Sequence, residues 1–454
     1  MWVMKNERRT LKVFFLILVA IPFFTFNSFG AVPGDVDNSE IIDLRDAIIA
    51  IRVCIGEISS GTQKAADVNN DNIIGLAEAV FVLQVVANLR DSMSNQLPFG
   101  FKAHDPSRLV EIEPGTLGVL TTTNSNDQEQ NSALRMYVID TDTENAQWET
   151  WEQWSFGEVI PGVEEWHLPW METYGYASDP EDEFHKELSV VAPTFYRSDI
   201  IYFSLWNELG GNAADENGKV GAMYRAIYRA VAEGEWPDQE WMMEPYPVYY
   251  SDTGTFEAGM PRGIDAHVWD DKDGQTYMTF GSWDPEGSSV IQIAEMDEET
   301  GRIEGIAPNE PGYWENAVNH LHPVATFGEA AFSYRHEDWY YLFLNVGSCC
   351  SGVNSTYEIV VGRSQSVFGP YVDHQGRSFE NYYDYDEQNF PGKSVLSSSG
   401  RFIGPGHTGI YEHPDGRLIL TFHYYDGEDG GAAKLGLREL RFDNEGWPIV
   451  FELP

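Results

Sequence analysis

The sequence has few basic residues, few cysteines and no long apolar segment. Its 454 residues include 28 Lys and Arg against 72 Asp and Glu, which gives a formal net charge of −44. A protein that neutralises phosphates needs a positive surface, so this balance excludes a nucleic-acid partner and disfavours docking on an anionic membrane. Acidity of this extent is more often a device for solubility, or an adaptation to salt, than a functional surface.

The chain has three cysteines, Cys54 and the adjacent pair Cys349 and Cys350. So small and odd a set predicts neither a disulfide framework nor a redox function.

The N-terminus reads as a targeting segment. Four basic residues precede or flank a run of twelve mostly apolar residues from Val13 to Phe24, and Ser28 and Gly30 supply the small residues of a cleavage site. Twelve residues are too few to span a bilayer, and no later run is long or apolar enough. We therefore expect residues 1–30 to be a signal peptide, the mature protein to be secreted, and no membrane attachment to remain after cleavage.

Two acidic segments repeat each other thirty-two residues apart. Their oxygen-bearing side chains have the spacing by which a loop wraps one calcium ion, and an apolar run of helical character follows each, at 47–53 and 79–87. The candidate ligands are Asp35, Asp37, Ser39, Asp43 and Asp46 in the first loop, and Asp67, Asn69, Asp71 and Glu78 in the second. The alternative is a pair of acidic turns before helices, but the duplication favours calcium.

This pattern resembles a dockerin, a small α-helical module of paired calcium loops that binds cohesin domains on a scaffold or cell surface. The resemblance implies a module over residues 31–91, a cohesin partner, and a linker at 92–98. The sequence departs from the dockerin pattern at position 6 of each loop, where Glu40 and Asn72 stand in place of the usual glycine.

From residue 99 to 454 the pattern predicts an all-β domain. Short runs rich in β-branched and aromatic residues occur at 200–206, 276–283, 339–346, 357–362 and 417–424, with turns at Asp273-Gly274 and Asp415-Gly416. The segment Ala222–Ala232 is the one helical candidate. A weak repeat occurs five times in order, and five copies predict a five-bladed β-propeller.

The repeat places five residues at equivalent positions on the first strands of the blades. Because first strands line the channel of a propeller, these residues should form one ring: Asp105, Ala192, Asp265, Glu329 and His407. Three carboxylates around one small space repel one another unless function or a metal requires them. The alternative is five turn residues that cap strands in solvent.

The order of the blades suggests separate functions for the carboxyl groups. Asp265 and Glu329 lie on neighbouring blades, so their repulsion should raise the pKa of Glu329 and keep it protonated as a general acid. Asp105 should face this pair across the channel as the general base. A separation of roughly 6.5–9.5 Å between acid and base would suit hydrolysis of a glycoside with inversion.

Several of these segments resemble blade motifs of glycoside hydrolase family 43. They are His104-Asp105-Pro-Ser, Gly263-Ile-Asp265, Gly281-Ser-Trp283 and Glu329-Ala-Ala-Phe. The stretch from Cys349 to Tyr357, Cys-Cys-Ser-Gly-Val-Asn-Ser-Thr-Tyr, is similar to a signature of endo-α-1,5-L-arabinanases in that family. Gly404-Pro-Gly-His407 resembles the segment that places a histidine on a channel calcium.

The resemblance implies Asp105 as general base, Glu329 as general acid and Asp265 as the residue that tunes the acid. It also implies sugar contacts at Gly263, Ile264, Ser282, Trp283, Asn354 and Ser355, and calcium as cofactor, with His407 as the channel ligand. Trp283 is a candidate for stacking on a furanose ring, although a core tryptophan is the alternative.

The sequence therefore predicts a secreted, inverting hydrolase of α-1,5-L-arabinan or a related pentose polysaccharide. The alternatives are an exo-acting α-L-arabinofuranosidase, a β-xylosidase, and a propeller that only binds glycan. Ala266 and the segment Val191–Thr194 depart from arabinanase motifs and leave the mode of action open.

Overall fold

The structure is a computed structural model, and it describes residues 103–122, 134–140, 155–160, 188–207, 224–234, 239–252, 261–282, 291–305, 318–382 and 389–451, with 36, 44–55, 66, 74–76, 79 and 82–83 near the N-terminus. The chain forms two compact units, Met1–Ser94 and Asn95–Pro454. No helix within the described ranges has the length and apolarity needed to cross a membrane.

The N-terminal unit contains one described α-helix, α1 (Leu44–Cys54), which covers the first predicted helical run. Its small core consists of Val36, Ala50, Ala66, Ile74 and Ala79. Asp46 lies in the first turn of α1 with its side chain fully buried. The other predicted loop ligands lie outside the described residues: Asp35, Asp37, Ser39, Asp43, Asp67, Asn69, Asp71 and Glu78.

The second unit consists of five antiparallel sheets in chain order, which we call blades one to five. Blade one contains β1 (Val110–Glu113), β2 (Thr116–Thr122), β3 (Leu134–Asp140) and β4 (Ser155–Ile160). Blade two contains β5 (Leu188–Arg197), β6 (Ile200–Asn207), β7 (Tyr224–Glu233), β8 (Glu240–Met243) and β9 (Tyr249–Asp252). Blade three contains β10 (His267–Asp270), β11 (Thr276–Phe280), β12 (Ile291–Asp297), β13 (Arg302–Ile303) and β14 (Leu321–Ala325). Blade four contains β15 (Glu329–His336), β16 (Trp339–Val346), β17 (Glu358–Ser364) and β18 (Lys393–Leu396). Blade five contains β19 (Phe402–Glu412), β20 (Leu418–Asp426), β21 (Ala432–Phe442) and β22 (Pro448–Phe451).

The first four strands of every blade form the same meander, in which each strand pairs with the next. In blades two and three the outermost position is shared by two short strands, because β8 and β9 both pair with β7, and β13 and β14 both pair with β12. Two short 3₁₀ helices, Val318–His320 and Gly352–Asn354, lie in connections of this unit.

Apolar side chains between neighbouring blades form the core of the propeller. One cluster joins blades one, two and three, a second joins blades three and four, and a third joins blades four, five and one. Blade five closes the ring on blade one, where the Thr421 hydroxyl donates to the Ser107 carbonyl at 2.7 Å. The second strands are buried on both faces, which explains their nearly continuous apolar sequences.

The predicted all-β, five-bladed propeller is confirmed by these sheets. Four of the predicted strand runs became the second strands of blades two to five, and the turns at Asp273-Gly274 and Asp415-Gly416 connect first to second strands. The helix predicted over Ala222–Ala232 is wrong, because this segment forms β7. Pairing on both edges and burial of Ala226, Ile227 and Ala230 override the helical preference of alanine.

Candidate active site

A β-bulge interrupts the start of each blade at the same point. At this point three residue steps along the chain that leads into the first strand lie opposite two steps along the second strand. In blade two, for example, Val191 pairs with Ser204 and Thr194 pairs with Tyr202. The bulge contains a residue with left-handed backbone in every blade: Asp105 (φ 44°), Ala192 (φ 50°), Asp265 (φ 58°), Ala330 (φ 49°) and His407 (φ 61°). Five non-glycine residues in this costly conformation indicate a constraint on where their side chains point.

The backbone N–H of each bulge residue is held by a side chain of the preceding blade. In four blades the acceptor belongs to the second-strand residue that lies opposite the start of the bulge. These bonds run from Ala192 to Thr122 Oγ1 (3.0 Å), from Asp265 to Ser204 Oγ (3.2 Å), from His407 to Asn345 Oδ1 (2.8 Å) and from Asp105 to His423 Nδ1 (3.3 Å).

The junction between blades three and four is the exception. In blade three the second-strand residue opposite the start of the bulge is Gly281, which has no side chain. The Ala330 N–H instead donates to Asp265 Oδ2 at 3.0 Å. Asp265 therefore ties its own blade to the backbone beside Glu329.

The predicted ring is correct in four blades and one residue out of register in blade four. Ala330 occupies the bulge position there, and Glu329 lies one residue earlier, opposite Asn345. The sequence could not fix this register, because Glu329 and its neighbours fit the weak repeat in either alignment. Glu329 nevertheless lies close enough to Asp265 for the charge of Glu329 to raise the pKa of Asp265.

Asp105 is surrounded by hydrogen-bond donors. Its Oδ1 lies 2.7 Å from His104 Nδ1 and 3.3 Å from His407 Nδ1, and its Oδ2 accepts the Thr122 hydroxyl at 3.1 Å. Burial by itself would raise the pKa of Asp105, but His104 and His407 hold it well below its usual range. An ionised carboxylate in this position can accept a proton from water.

Glu329 and Asp265 have a different environment. Glu329 accepts the Tyr357 hydroxyl on Oε1 at 2.6 Å and the Ser282 hydroxyl on Oε2 at 2.8 Å. Burial, together with the charges of Glu329 and Asp105, raises the pKa of Asp265 to about 7, against the lowering effect of His407 and the Ala330 N–H. The raised pKa that the sequence analysis expected at Glu329 stays a prediction.

The residues predicted to contact sugar differ in where they lie. Gly263 is packed against blade two, where a Cβ would come within 3.0 Å of the Arg225 carbonyl, and the carbonyl of buried Ile264 accepts the Gly281 N–H. Ser282 is part of the site through Glu329. Ser355 is buried, and its hydroxyl accepts the Ser351 N–H at 3.0 Å. Asn354 is exposed, while Trp283 lies outside the described residues.

His407 has one ring nitrogen available for a metal. Its Nδ1 faces Asp105, and although burial would lower the pKa of His407, the hydrogen bond and charge of Asp105 raise it. One imidazole nitrogen is a poor ligand set for calcium, which prefers six to eight oxygens, so any calcium here would be held mainly by water. His423 and His104 lie close to Asp105, but their rings stack at 4.0 Å and their Nδ1 atoms already face its backbone or carboxylate.

Sequence reasoning missed four residues of this site. His104 and Tyr357 stand inside motifs that were identified, without a function assigned to them. Tyr425 contacts His104, and Thr122 bridges Asp105 to blade two. Adjacency to Asp105 was the one signal that could have indicated His104, whereas Tyr425 and Thr122 are distant in sequence.

Comparisons with known proteins identify the family of the chain. A model described as glycosyl hydrolases family 43 matches residues 170–448. An extracellular exo-α-(1→5)-L-arabinofuranosidase of Cellvibrio japonicus is 31% identical over 237 residues, which are 50% of this chain and 60% of that protein. An extracellular endo-α-(1→5)-L-arabinanase of Bacillus subtilis is 30% identical over 256 residues, which are 55% of this chain and 64% of that protein. The matched region thus spans less than two thirds of these relatives.

Solved structures show the same fold. An exo-1,5-α-L-arabinanase from a bovine ruminal metagenomic library aligns with a TM-score of 0.53 and 24% identity, over 77% of this chain and 96% of that one. An α-L-arabinanase of Cellvibrio cellulosa complexed with arabinohexaose aligns with a TM-score of 0.52 and 22% identity, over 77% and 95%.

Proposed function

Because the chain belongs to glycosyl hydrolase family 43, we propose that it is a secreted enzyme that hydrolyses α-1,5-L-arabinan with inversion of configuration. The observation that carries this proposal is the contrast between Asp105 and Asp265. One carboxyl has its pKa held far below the usual range, and the other has its pKa raised to about 7, beside Glu329. A site that keeps one carboxylate ionised and holds a proton on another carboxyl group beside Glu329 is typical of acid–base catalysis, with Asp105 as base and Glu329 as acid.

In this mechanism Asp105 removes a proton from the attacking water. His104 and His407 stabilise its negative charge, and Thr122 holds the second oxygen. These contacts fix the carboxylate on the strained bulge, so its orientation is set before substrate arrives.

Glu329 donates the proton to the departing sugar oxygen. The hydroxyls of Ser282 and Tyr357 position its two carboxyl oxygens. Asp265 acts on Glu329 through its charge and through the Ala330 N–H, the backbone amide that follows Glu329. The separation between Glu329 and Asp105 that inversion requires stays a prediction.

Exo-acting α-L-arabinofuranosidase activity is the second candidate, because one of the relatives named above is exo-acting. A β-xylosidase would not explain the similarity to an arabinofuranosidase and an arabinanase. A propeller that only binds glycan would not explain the acid–base pair. Product analysis on linear arabinan, beside nitrophenyl arabinofuranoside and nitrophenyl xyloside, separates these activities. Mixed oligosaccharides support endo action, a single small product supports exo action, and hydrolysis of the xyloside alone would overturn the proposal.

For the N-terminal unit we propose a dockerin-like module that binds calcium and a cohesin. Equivalent positions thirty-two residues apart share the same burial: Ala47 with Ala79 and Ala50 with Val82 are buried, whereas Leu44 with Leu76 and Ile51 with Leu83 are exposed. The exposed apolar residues of the repeats support a docking surface for a protein partner. Circular dichroism of residues 31–91 with and without chelator tests the calcium proposal, since unchanged helicity in chelator would contradict it.

A channel calcium beside His407 is also part of the proposal. When bound, the ion would offset the negative charge of the carboxyl groups around it. We expect chelator to lower the activity of the full chain and to have less effect on a His407→Gln variant. Equal sensitivity of the two proteins to chelator would mean that any calcium requirement arises away from His407.

A further inference from the structure

The cysteine pair lies at the edge of the candidate active site and forms a disulfide between adjacent residues, Cys349 and Cys350. Cys350 has a left-handed backbone (φ 65°), and its N–H donates to the Tyr425 hydroxyl at 2.8 Å. The loop that carries the disulfide follows β16 of blade four, whereas Tyr425 belongs to β20 of blade five. The contact therefore joins two blades.

The Tyr425 hydroxyl extends this contact to His104, whose Nε2 lies 2.8 Å away. On the other side of the ring, His104 Nδ1 lies 2.7 Å from Asp105 Oδ1. The chain of hydrogen bonds thus runs from the backbone of the disulfide loop to the carboxylate proposed as general base.

With Asp105 ionised and the His104 ring neutral, each hydrogen bond in this chain has one direction. An ionised carboxylate only accepts, so His104 Nδ1 carries a proton and donates to Asp105. In the neutral ring Nε2 must then accept, and the Tyr425 hydroxyl, which already accepts from Cys350, donates its single proton to it. The N–H of Cys350 therefore orients the Tyr425 hydroxyl, and Tyr425 supports at Nε2 the tautomer that Asp105 requires at Nδ1.

Resting on the proposed function of Asp105, we propose that His104 is a positioning residue of the general base, and that the Cys349–Cys350 disulfide controls it through Tyr425. A dithiol would reduce the disulfide to two thiols and become a cyclic disulfide itself, so two electrons and two protons pass to the cysteines. Cys350 is exposed and Cys349 partly so, which leaves the bond open to this reagent.

Reduction should break the chain of hydrogen bonds at its first link. Left-handed backbone is unfavourable for a non-glycine residue, and the disulfide ring holds Cys350 there. Once the ring opens, Cys350 can relax to an extended backbone, and its N–H turns away from Tyr425. Tyr425 is then free to rotate, and His104 loses the partner that holds its Nε2.

The experiment uses the full chain in a Cys54→Ser background, so that the disulfide is the one thiol-sensitive group. The values of kcat and KM on linear arabinan are measured before and after dithiothreitol. We expect reduction to lower kcat roughly tenfold with little change in KM, because a misplaced catalytic group affects chemistry more than binding. Tyr425→Phe should show the same loss and no further response to dithiothreitol.

Tyr424→Phe is the matched control, since Tyr424 neighbours Tyr425 and its buried hydroxyl has no hydrogen-bond partner among the described residues. This variant should keep its kcat and its response to reduction. A wild-type kcat that is indifferent to reduction would overturn the proposal, as would an equal effect of reduction in Tyr425→Phe.

A second measurement does not depend on catalytic activity and needs no substitution of Tyr425. Long-range proton–nitrogen NMR with ¹⁵N-labelled histidine should show His104 with its proton on Nδ1, and reduction should shift the Nε2 signal because the hydrogen bond from Tyr425 is lost. An unchanged Nε2 signal would contradict the proposal. If Asp105→Ala keeps full activity, the general base is wrongly assigned; if Asp105→Ala is inactive while reduction has no effect, only the positioning proposal fails.

Discussion

Replacing Asp265 by asparagine should remove activity and stabilise the folded protein at high pH. The raised pKa of about 7, against an ordinary value of 3.8, means that the folded state holds this proton more tightly than the unfolded chain does. The stability that the proton provides is fully present below pH 3.8 and is lost as the pH rises through 7. The asparagine side chain would carry no charge at any pH, and its amide oxygen can still accept the Ala330 N–H.

The magnitude follows from the difference of about three pH units, which corresponds to about 4 kcal/mol at full charge. Because Asp265 keeps partial contact with solvent, we expect about 2–4 kcal/mol of stabilisation above pH 8 and little at pH 4. Thermal or urea unfolding of both proteins at pH 4, 6 and 9 measures this difference.

Asp373 provides a control of opposite sign. Its buried carboxylate accepts the backbone N–H groups of Gln375, Arg377 and Gly392, and although burial opposes them, these donors and the Arg377 guanidinium lower its pKa. Asp373→Asn should therefore destabilise the protein, and more so above pH 5 than below. Our reasoning on Asp265 would be refuted if Asp265→Asn were no more stable than the wild type at pH 9, or if the gain were the same at pH 4.

Three further substitutions, and a control for the third, test the catalytic residues and the closure of the ring. Glu329→Ala should lose far more activity on arabinan than on an activated aryl arabinoside, whose leaving group needs no proton; equal losses would contradict its function as acid. Asp105→Ala should lower kcat on both substrates alike, by roughly 10²–10⁴-fold, and a loss confined to one substrate would speak against a base. Gly409→Ala should destabilise the closure of the ring by about 2–3 kcal/mol, because a Cβ there would lie 2.5 Å from the backbone of blade one. Gly274→Ala, with open space around the new methyl group but φ 84°, should cost only about 1 kcal/mol in the same unfolding assay.

The architecture could be predicted from sequence because it depends on patterns that recur. Runs such as Trp339–Val346 are buried on both faces, so their apolar sequence identifies them without knowledge of their neighbours. The segment Tyr224–Glu233 was misread because its alternation of alanine and larger residues fits a helix equally well, and only pairing with β6, β8 and β9 makes it a strand.

The candidate site was predictable in its residue types and less so in its geometry. The sequence predicts Asp105 and Asp265 on one ring around the channel, because they recur at the same point of the repeat. The shift of Glu329 by one residue depends on where the bulge falls in blade four, which no residue type marks. The contacts of Tyr425 with His104 and with Cys350 join blades distant in sequence, so they follow only from the closed ring.

The stereochemistry of hydrolysis tests the central claim most directly. Proton NMR of the enzyme with linear α-1,5-arabinan, recorded within minutes of mixing, shows which anomer of the new reducing end forms before mutarotation. The account predicts that the β-anomer appears first, since Asp105 would activate water on the face opposite the departing sugar. First appearance of the α-anomer would contradict it and make Asp105 a nucleophile.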